Sequence, residues 1–301
     1  MIARLFRLLV TLAPQHGISR IVHRLARWRW RPWKNLLIRR FTRLYGVDCG
    51  EAAASEANAY VSFNAFFTRP LAPGARPIAT GEATLVSPVD GVISQHGRID
   101  EGRLVQAKGQ TYSVAELLGG DARLANAFGR GHFATLYLSP RDYHRVHMPL
   151  QGSLIRMLHI PGRLFGVSPP LVRHVPGLFA RNERVVNLFE TPHGLMAVVL
   201  VGAIGVGSIE TVWHGEVTPP RGRRIRNWDY RHHALDLTPG AEMGRFNLGS
   251  TVIVLLAAEQ LRWSEAIGLE QPVRMGEALG ELHGDPADSG AVPGESDHAA
   301  D

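Results

Sequence analysis

The sequence predicts a mainly β protein of the α+β class, with a β-sandwich or barrel-like body preceded by N-terminal amphipathic helices. Three observations predict it. Helical periodicity is strong before residue 47 and fades from Ala54 onward. Beyond that point short β-branched runs alternate with Gly and Pro punctuation at residues 74–77, Asp90-Gly91, Gly97, Gly102, Gly109, Gly119-Gly120 and Pro149, the rhythm of many short strands joined by turns. Of the 301 residues 45% are apolar and 20% charged, enough for a sizeable core and too few charges for a disordered chain.

Residues 2–12 place Ile2, Leu5, Phe6, Leu9 and Leu12 at helical spacing, with Arg4 and Arg7 opposite. A second stretch puts Ile18, Ile21, Val22, Leu25 and Trp28 on one face and Arg20, Arg24, Arg27 and Arg31 on the other. Pro32 is expected to break that helix, and a third segment runs from about Trp33 to Tyr45. Trp28, Trp30 and Trp33 make up half of the chain's six tryptophans, and Trp favours the headgroup region of a bilayer. No segment reaches the roughly 20 apolar residues of a spanning helix. A secretory signal fits poorly, because Arg7 interrupts the one short apolar run and no small-residue cleavage site follows. Such helices lie in a membrane interface. The alternatives are a basic helix pair packed on the body, or a nucleic-acid arm, which would leave the apolar stripe unexplained.

In the body a short helix is expected at residues 113–118, where Ser113 caps and Glu116 follows three residues later. The apolar runs 195–209 and 251–258 read as buried strands. After Leu282 the chain is poor in apolar residues and is expected to be disordered. The domains expected are therefore 1–47, basic amphipathic helices; 48–282, the functional body; and 283–301, an acidic tail.

The formal charge of +6 is segregated in the same way. Residues 1–47 hold eleven Arg or Lys and no Asp or Glu, residues 48–280 come to +1, and residues 281–301 to −6. An acidic partner is therefore a matter for the N-terminus alone, and the partner expected is an anionic membrane surface and not nucleic acid. The single cysteine, Cys49, excludes an intramolecular disulfide and a Cys-based zinc site.

Four segments could carry chemistry. SPVDG (87–91) sets Asp90 in a tight turn after a strand; Asp-Gly is also an ordinary hairpin turn. YHRVHMP (143–149) places His144 and His147 three apart, but no third metal ligand is identifiable among fourteen scattered histidines. VGAIGVGSIETVW (201–213) is Gly-rich without a GxGxxG register. GRFNLGST (244–251) puts Ser250 at the entry of a hydrophobic strand, where a serine is also unremarkable.

Taken together these segments are similar to one family. The chain resembles phosphatidylserine decarboxylase, a pyruvoyl-dependent, membrane-associated enzyme of phosphatidylethanolamine synthesis. The resemblance runs in unbroken order from FNAFFTRPLAPGARPI (63–78) through LVSPVDG, QAKGQTYSVAELLGG, LYLSPRDYHRVHMP, HIPGRLFGV, LFARNERVV and VGAIGVGSI to GRFNLGSTVIVL (244–255). Val89 stands where the family often has Ala, and Ala72 where Lys is usual; neither is a group the chemistry would use.

The resemblance implies a zymogen that makes its own cofactor. Decarboxylating an amino acid leaves electrons on Cα, and a protein-bound pyruvoyl carbonyl, by forming an imine (Schiff base) with the substrate amine, supplies the electron sink without pyridoxal phosphate or a metal. Carried onto this sequence, Ser250 attacks the carbonyl of Gly249, the amide becomes an ester, and elimination gives a dehydroalanine that hydrolyses to pyruvoyl and ammonia. The products are chains 1–249 and 250–301, which stay associated. His147 oriented by Asp90 would take the Ser250 proton, the logic of a Ser-His-Asp triad used once. His144 would assist decarboxylation or deliver the proton to Cα, since the spacing lets either histidine approach the same atom. The resemblance further implies phosphatidylserine as substrate, a homodimer, and a peripheral place on the cytoplasmic face of the cell membrane. The loop 164–167 and the Arg-rich stretch 221–231 are candidates for acyl and headgroup contact. Other readings are a pyruvoyl decarboxylase of a soluble amino acid, a non-enzymatic membrane-binding β module, and a His-dependent metal hydrolase.

Overall fold

A computed structural model describes residues 14–107, 109–205, 208–219, 222–248 and 250–283, and of Ser250 the backbone. The helix expected at residues 2–12, Gly249, the Ser250 side chain, Arg221 and the tail from 284 lie outside the described residues.

Two helices open the described chain, α1 (Gln15–Arg27) and α2 (Arg31–Tyr45). The break comes at Trp28 and Trp30, which are extended, and not at Pro32. Pro32 sits instead in the first turn of α2, where its missing N–H would have had no intrahelical acceptor. Gly46, at φ +63°, ends α2 in the left-handed conformation that a side chain resists. α1 buries Gln15, Ser19 and Ala26 against the body, whereas Ile18, Ile21, Leu25 and Trp28 face outward, Ile21 with 61% of its surface exposed. The apolar stripe of α1 is thus not used to pack on the body.

The body is built on a nine-stranded antiparallel sheet. Its main order is Arg226–Asp229, Gly152–Ile160, Arg184–Thr191, Gly194–Gly202, Ser250–Leu256, His132–Leu138, Gly91–Arg98 and Pro272–Val273. The mainly β body after N-terminal helices is as expected; among the described residues the sheet keeps two free edges, so it is open and not a closed barrel. Side chains alternate across it. Ile253 and Leu255 join a core under the short helices, while Val252, Val254 and Leu256 join a second core. That second core includes residues of a four-stranded sheet (Gly215–Thr218, Ile209–Thr211, Glu242–Phe246, Arg145–His147) and of a three-stranded one.

The apolar runs expected to be buried strands are Gly194–Gly202 and Ser250–Leu256, neighbours in register with Ser250 opposite Gly202 and, on the other side, Leu138. The expected short helix forms at Val114–Leu117. Ser113 Oγ accepts from Glu116 N at 3.0 Å, and the Glu116 carboxylate accepts from Ser113 N at 3.1 Å. A third apolar cluster joins both N-terminal helices to α3 (Phe63–Phe67): Ala26, Ile38, Tyr60, Phe63, Phe66 and Phe67 pack together, with Phe41 and Leu248 against them. The loop at 164–167 is not a lipid-facing surface, because Leu164 and Phe165 are fully buried.

Candidate active site

Strand Thr84–Val86 and strand Gly91–Arg98 belong to different sheets, so SPVDG is a bend from one sheet to the other and not a hairpin. Gly91 is required there: a Cβ would stand 2.4 Å from the Tyr137 carbonyl oxygen. The bend carries Asp90 into a buried position, where its carboxylate takes Arg76 Nε at 2.9 Å, Arg76 Nη2 at 2.6 Å and the backbone N–H of Met275 at 2.8 Å. Arg76 also holds Glu51 at 2.7 Å, and Glu51 holds Arg274 at 2.9 Å. A cavity of about 270 Å3 lies beside this network, lined by Arg69, Arg76, Asp90, Arg141, Asp142 and Tyr143 among others.

His147 ends the strand Arg145–His147, and its N–H donates to Pro88 O at 2.8 Å, so it lies against the bend that carries Asp90. Its ring does not bond Asp90. Nδ1 lies 2.8 Å from Gly240 O, so Nδ1 carries the hydrogen, and Nε2 accepts from the Tyr143 hydroxyl at 2.9 Å. Burial lowers the pKa of His147, partly offset by Gly240 O and by nearby Glu242 and Asp90. Its ring is a neutral base with its lone pair on Nε2.

His144 occupies a different environment. Its ring lies 4.0 Å from that of Phe67, Nδ1 donates to Asp142 O at 2.8 Å, and Nε2 is buried without a partner. Burial drives its pKa down to about 3. The two histidines share no ring contact. His144 stands just before the strand Arg145–His147, and its ring meets Phe67 whereas that of His147 meets Tyr143. Because Nδ1 is the donor, Nε2 of His144 accepts and does not give a proton as it stands.

The segment that leads into Ser250 is anchored on this machinery. Phe246 N donates to His144 O at 3.0 Å, Asn247 N to Ser208 O at 3.0 Å, and Asn64 Nδ2 to Asn247 Oδ1 at 2.9 Å. Leu248 adopts φ +103°, a conformation that costs on the order of 1–3 kcal/mol for a residue with a side chain. The residues present fit a small carbonyl-bearing group at position 250. Gly202, paired with Ser250 and so on the same face of the sheet, has no side chain to crowd that position.

A family model described as phosphatidylserine decarboxylase matches residues 63–281, which hold Asn64, Arg76, Asp90, Tyr143, His144, His147, Asn247 and Ser250. The chain belongs to that family. A second model, PSD, matches residues 5–46. The phosphatidylserine decarboxylase proenzyme of Methylococcus capsulatus is 54% identical over 92% of this chain and 96% of the relative. That of Bordetella pertussis is 55% identical over 89% and 91%, and that of Azotobacter vinelandii 53% over 92% and 98%. Within the decarboxylase framework four residues went unassigned in the sequence: Arg76, Tyr143, Asn247 and Asn64. All four stand inside segments already singled out, 63–78, LYLSPRDYHRVHMP and 244–255, but nothing in a linear motif shows which atoms its side chains meet.

Proposed function

We propose that this chain converts phosphatidylserine to phosphatidylethanolamine and CO2, as a proenzyme that cuts itself between Gly249 and Ser250. The observation that carries the reading is the position of the LGST motif: it joins the left-handed Leu248 to the central strand beginning at Ser250. Cleavage there would leave chain 250–301 hydrogen-bonded on both edges between Gly194–Gly202 and His132–Leu138. Val252–Leu256, five fully or almost fully buried apolar side chains worth roughly 1.5–3 kcal/mol each, would hold it in place.

In this reading the Ser250 hydroxyl attacks the Gly249 carbonyl and its proton goes to His147, already neutral with the lone pair on Nε2. Asp90 favours the charged ring through space, its carboxylate fixed by Arg76 and Met275 N, while Tyr143 is the group in contact with Nε2. The pyruvoyl group formed at position 250 supplies the electron sink for decarboxylation. His144 serves as a neutral acceptor in a water-poor site, and must be protonated before it can return a proton to Cα.

The exposed stripe of Ile18, Ile21, Leu25 and Trp28 supports peripheral attachment to an anionic membrane, on its cytoplasmic face. Trp28 stacks 5.4 Å from Trp30 and 5.9 Å from Trp33, and Arg20, Arg24 and Arg31 add positive charge. Among the described residues no helix is long and apolar enough to cross a bilayer. A homodimer of the processed enzyme completes the reading.

Intact mass of the purified protein tests it. Two chains broken at Gly249–Ser250, the shorter one blocked to Edman degradation and the preparation releasing CO2 from phosphatidylserine, are expected. An active enzyme made of one uncut chain would refute it.

A further inference from the structure

The membrane stripe of α1 has a counterpart on its inner side. Gln15, Ser19, His23 and Arg27 recur every four residues and so form one ridge of the helix. Together they hold three points of the body. Gln15 Oε1 accepts from Leu164 N at 2.9 Å and Ser19 Oγ from Gly205 N at 3.2 Å. His23 Nε2 meets Glu216 Oε1 at 3.1 Å, and Arg27 grips the same carboxylate with both terminal nitrogens, at 2.7 and 3.1 Å.

These contacts converge on residue 250 from two directions. Leu164 and Gly205 belong to loops beside the end of strand Gly194–Gly202, and Gly202 is paired with Ser250. Gly202 N is itself tied to Glu183 O at 2.8 Å. On the other side, Glu216 is bonded to Ser208, and the Ser208 hydroxyl meets Asn247 Nδ2. Asn247 is three residues before Ser250 and is held in turn by Asn64 of α3. Burial opposes ionisation of Glu216, yet its bonds to Arg27, Ser208 and His23 bring its pKa below the usual carboxylate value, so it stays a charged hub.

We propose that the Gln15–Ser19–His23–Arg27 ridge positions the loops around residue 250, so that the helix facing the membrane also sets the geometry of the reacting residue. These are positioning residues: they act through Leu164, Gly205 and the Glu216–Ser208–Asn247 chain and touch neither the cleaved bond nor the substrate. The inference rests on the decarboxylase reading and is independent of membrane binding, because the inner ridge and the outer stripe use different side chains. Misplacement by about an ångström is enough to cost a hundredfold in rate, so a light set of polar contacts at this distance has leverage.

The test uses the full chain and follows two readouts: self-cleavage by mass spectrometry, and turnover of dihexanoyl phosphatidylserine kept monomeric, with no membrane present. Gln15→Ala with Ser19→Ala is expected to slow cleavage and lower kcat by about tenfold, with KM, melting temperature and sedimentation with anionic vesicles unchanged. Arg27→Glu is expected to do the same to cleavage and kcat, and Arg27→Glu with Glu216→Arg to restore both. Wild-type rates in the Ala pair, or no recovery in the charge-swapped pair, would overturn the proposal, as would rates that fall only in step with melting temperature. If wild-type protein is never cut, the decarboxylase reading fails instead.

Discussion

The carboxylate of Asp90 is bound by Arg76, Nη2 to Oδ2 at 2.6 Å and Nε to Oδ1 at 2.9 Å, and not by His147. Both partners are largely withdrawn from solvent, with 6% of the Arg76 side chain and 12% of the Asp90 side chain exposed. An ion pair this enclosed is costly to break from one side, because the carboxylate left behind remains buried. Arg76→Met in the uncut Ser250→Ala protein is therefore expected to lower unfolding free energy by about 3 kcal/mol. Urea denaturation measures it. A loss under about 1 kcal/mol would mean that Met275 N and water satisfy Asp90 unaided.

Ser250→Ala should leave a single 33.1 kDa chain, and Asp90→Asn should leave the precursor uncut as well. Mass spectrometry of freshly purified protein decides both. Efficient cleavage in either variant removes that residue from the mechanism.

Tyr143 donates to the lone pair that His147 needs as a base. A hydrogen bond to the neutral form lowers a histidine pKa, so removing it raises the pKa. Self-cleavage requires neutral His147, and burial holds its pKa below the usual 6.5. The cleavage rate should therefore be level near neutrality and fall as pH drops through that lowered value. Tyr143→Phe should move the fall to higher pH. A cleavage profile that stays in place would show that the hydroxyl does not govern the base.

His144 has a folded-state pKa of about 3, far below the 6.5 of an exposed histidine. Between those values the unfolded chain binds the proton and the folded chain does not. Stability is thus fully present above pH 6.5 and is lost as pH falls toward the folded value. His144→Asn, whose amide can still donate to Asp142 O, should flatten the decline between pH 6.5 and 4 when denaturation is followed in the Ser250→Ala background. An unaltered slope would place the titration elsewhere.

Ile21 is 61% exposed and Trp28 49%, on the face of α1 turned away from the body. Replacing both with Ser should weaken binding to anionic vesicles at least tenfold, on the order of 1.4 kcal/mol, while the melting temperature holds. Sedimentation with vesicles measures this, and equal binding would assign attachment to another surface.

Much of the architecture can be read from residue order alone. Periodicity near 3.6 marked α1 and α2, and uninterrupted apolar runs marked the strands Gly194–Gly202 and Ser250–Leu256, because burial on one stripe or on both faces leaves a local signature. The capping pair Ser113 and Glu116 is equally local. The motifs around Asp90, His144, His147 and Ser250 carry the family resemblance that implies the chemistry, since each is a short contiguous pattern.

What the sequence alone could not decide was which of those groups touch. Asp90 meets Arg76, fourteen residues away along the chain, and His147 meets Gly240, ninety-three residues away. The neighbours that distinguish His144 from His147, Phe67 and Tyr143, come from the folded chain, and the openness of the large sheet from its two unpaired edges. Nor does amphipathicity say which side of α1 faces the body. The apolar stripe alone would suggest packing inward, yet the helix docks through Gln15, Ser19, His23 and Arg27, with Ala26 beside them, because the N–H groups of Leu164 and Gly205 and the Glu216 carboxylate offer it hydrogen-bond partners. Patterns along a chain report burial and backbone geometry. Pairing between distant polar atoms depends on distances that only the folded chain sets.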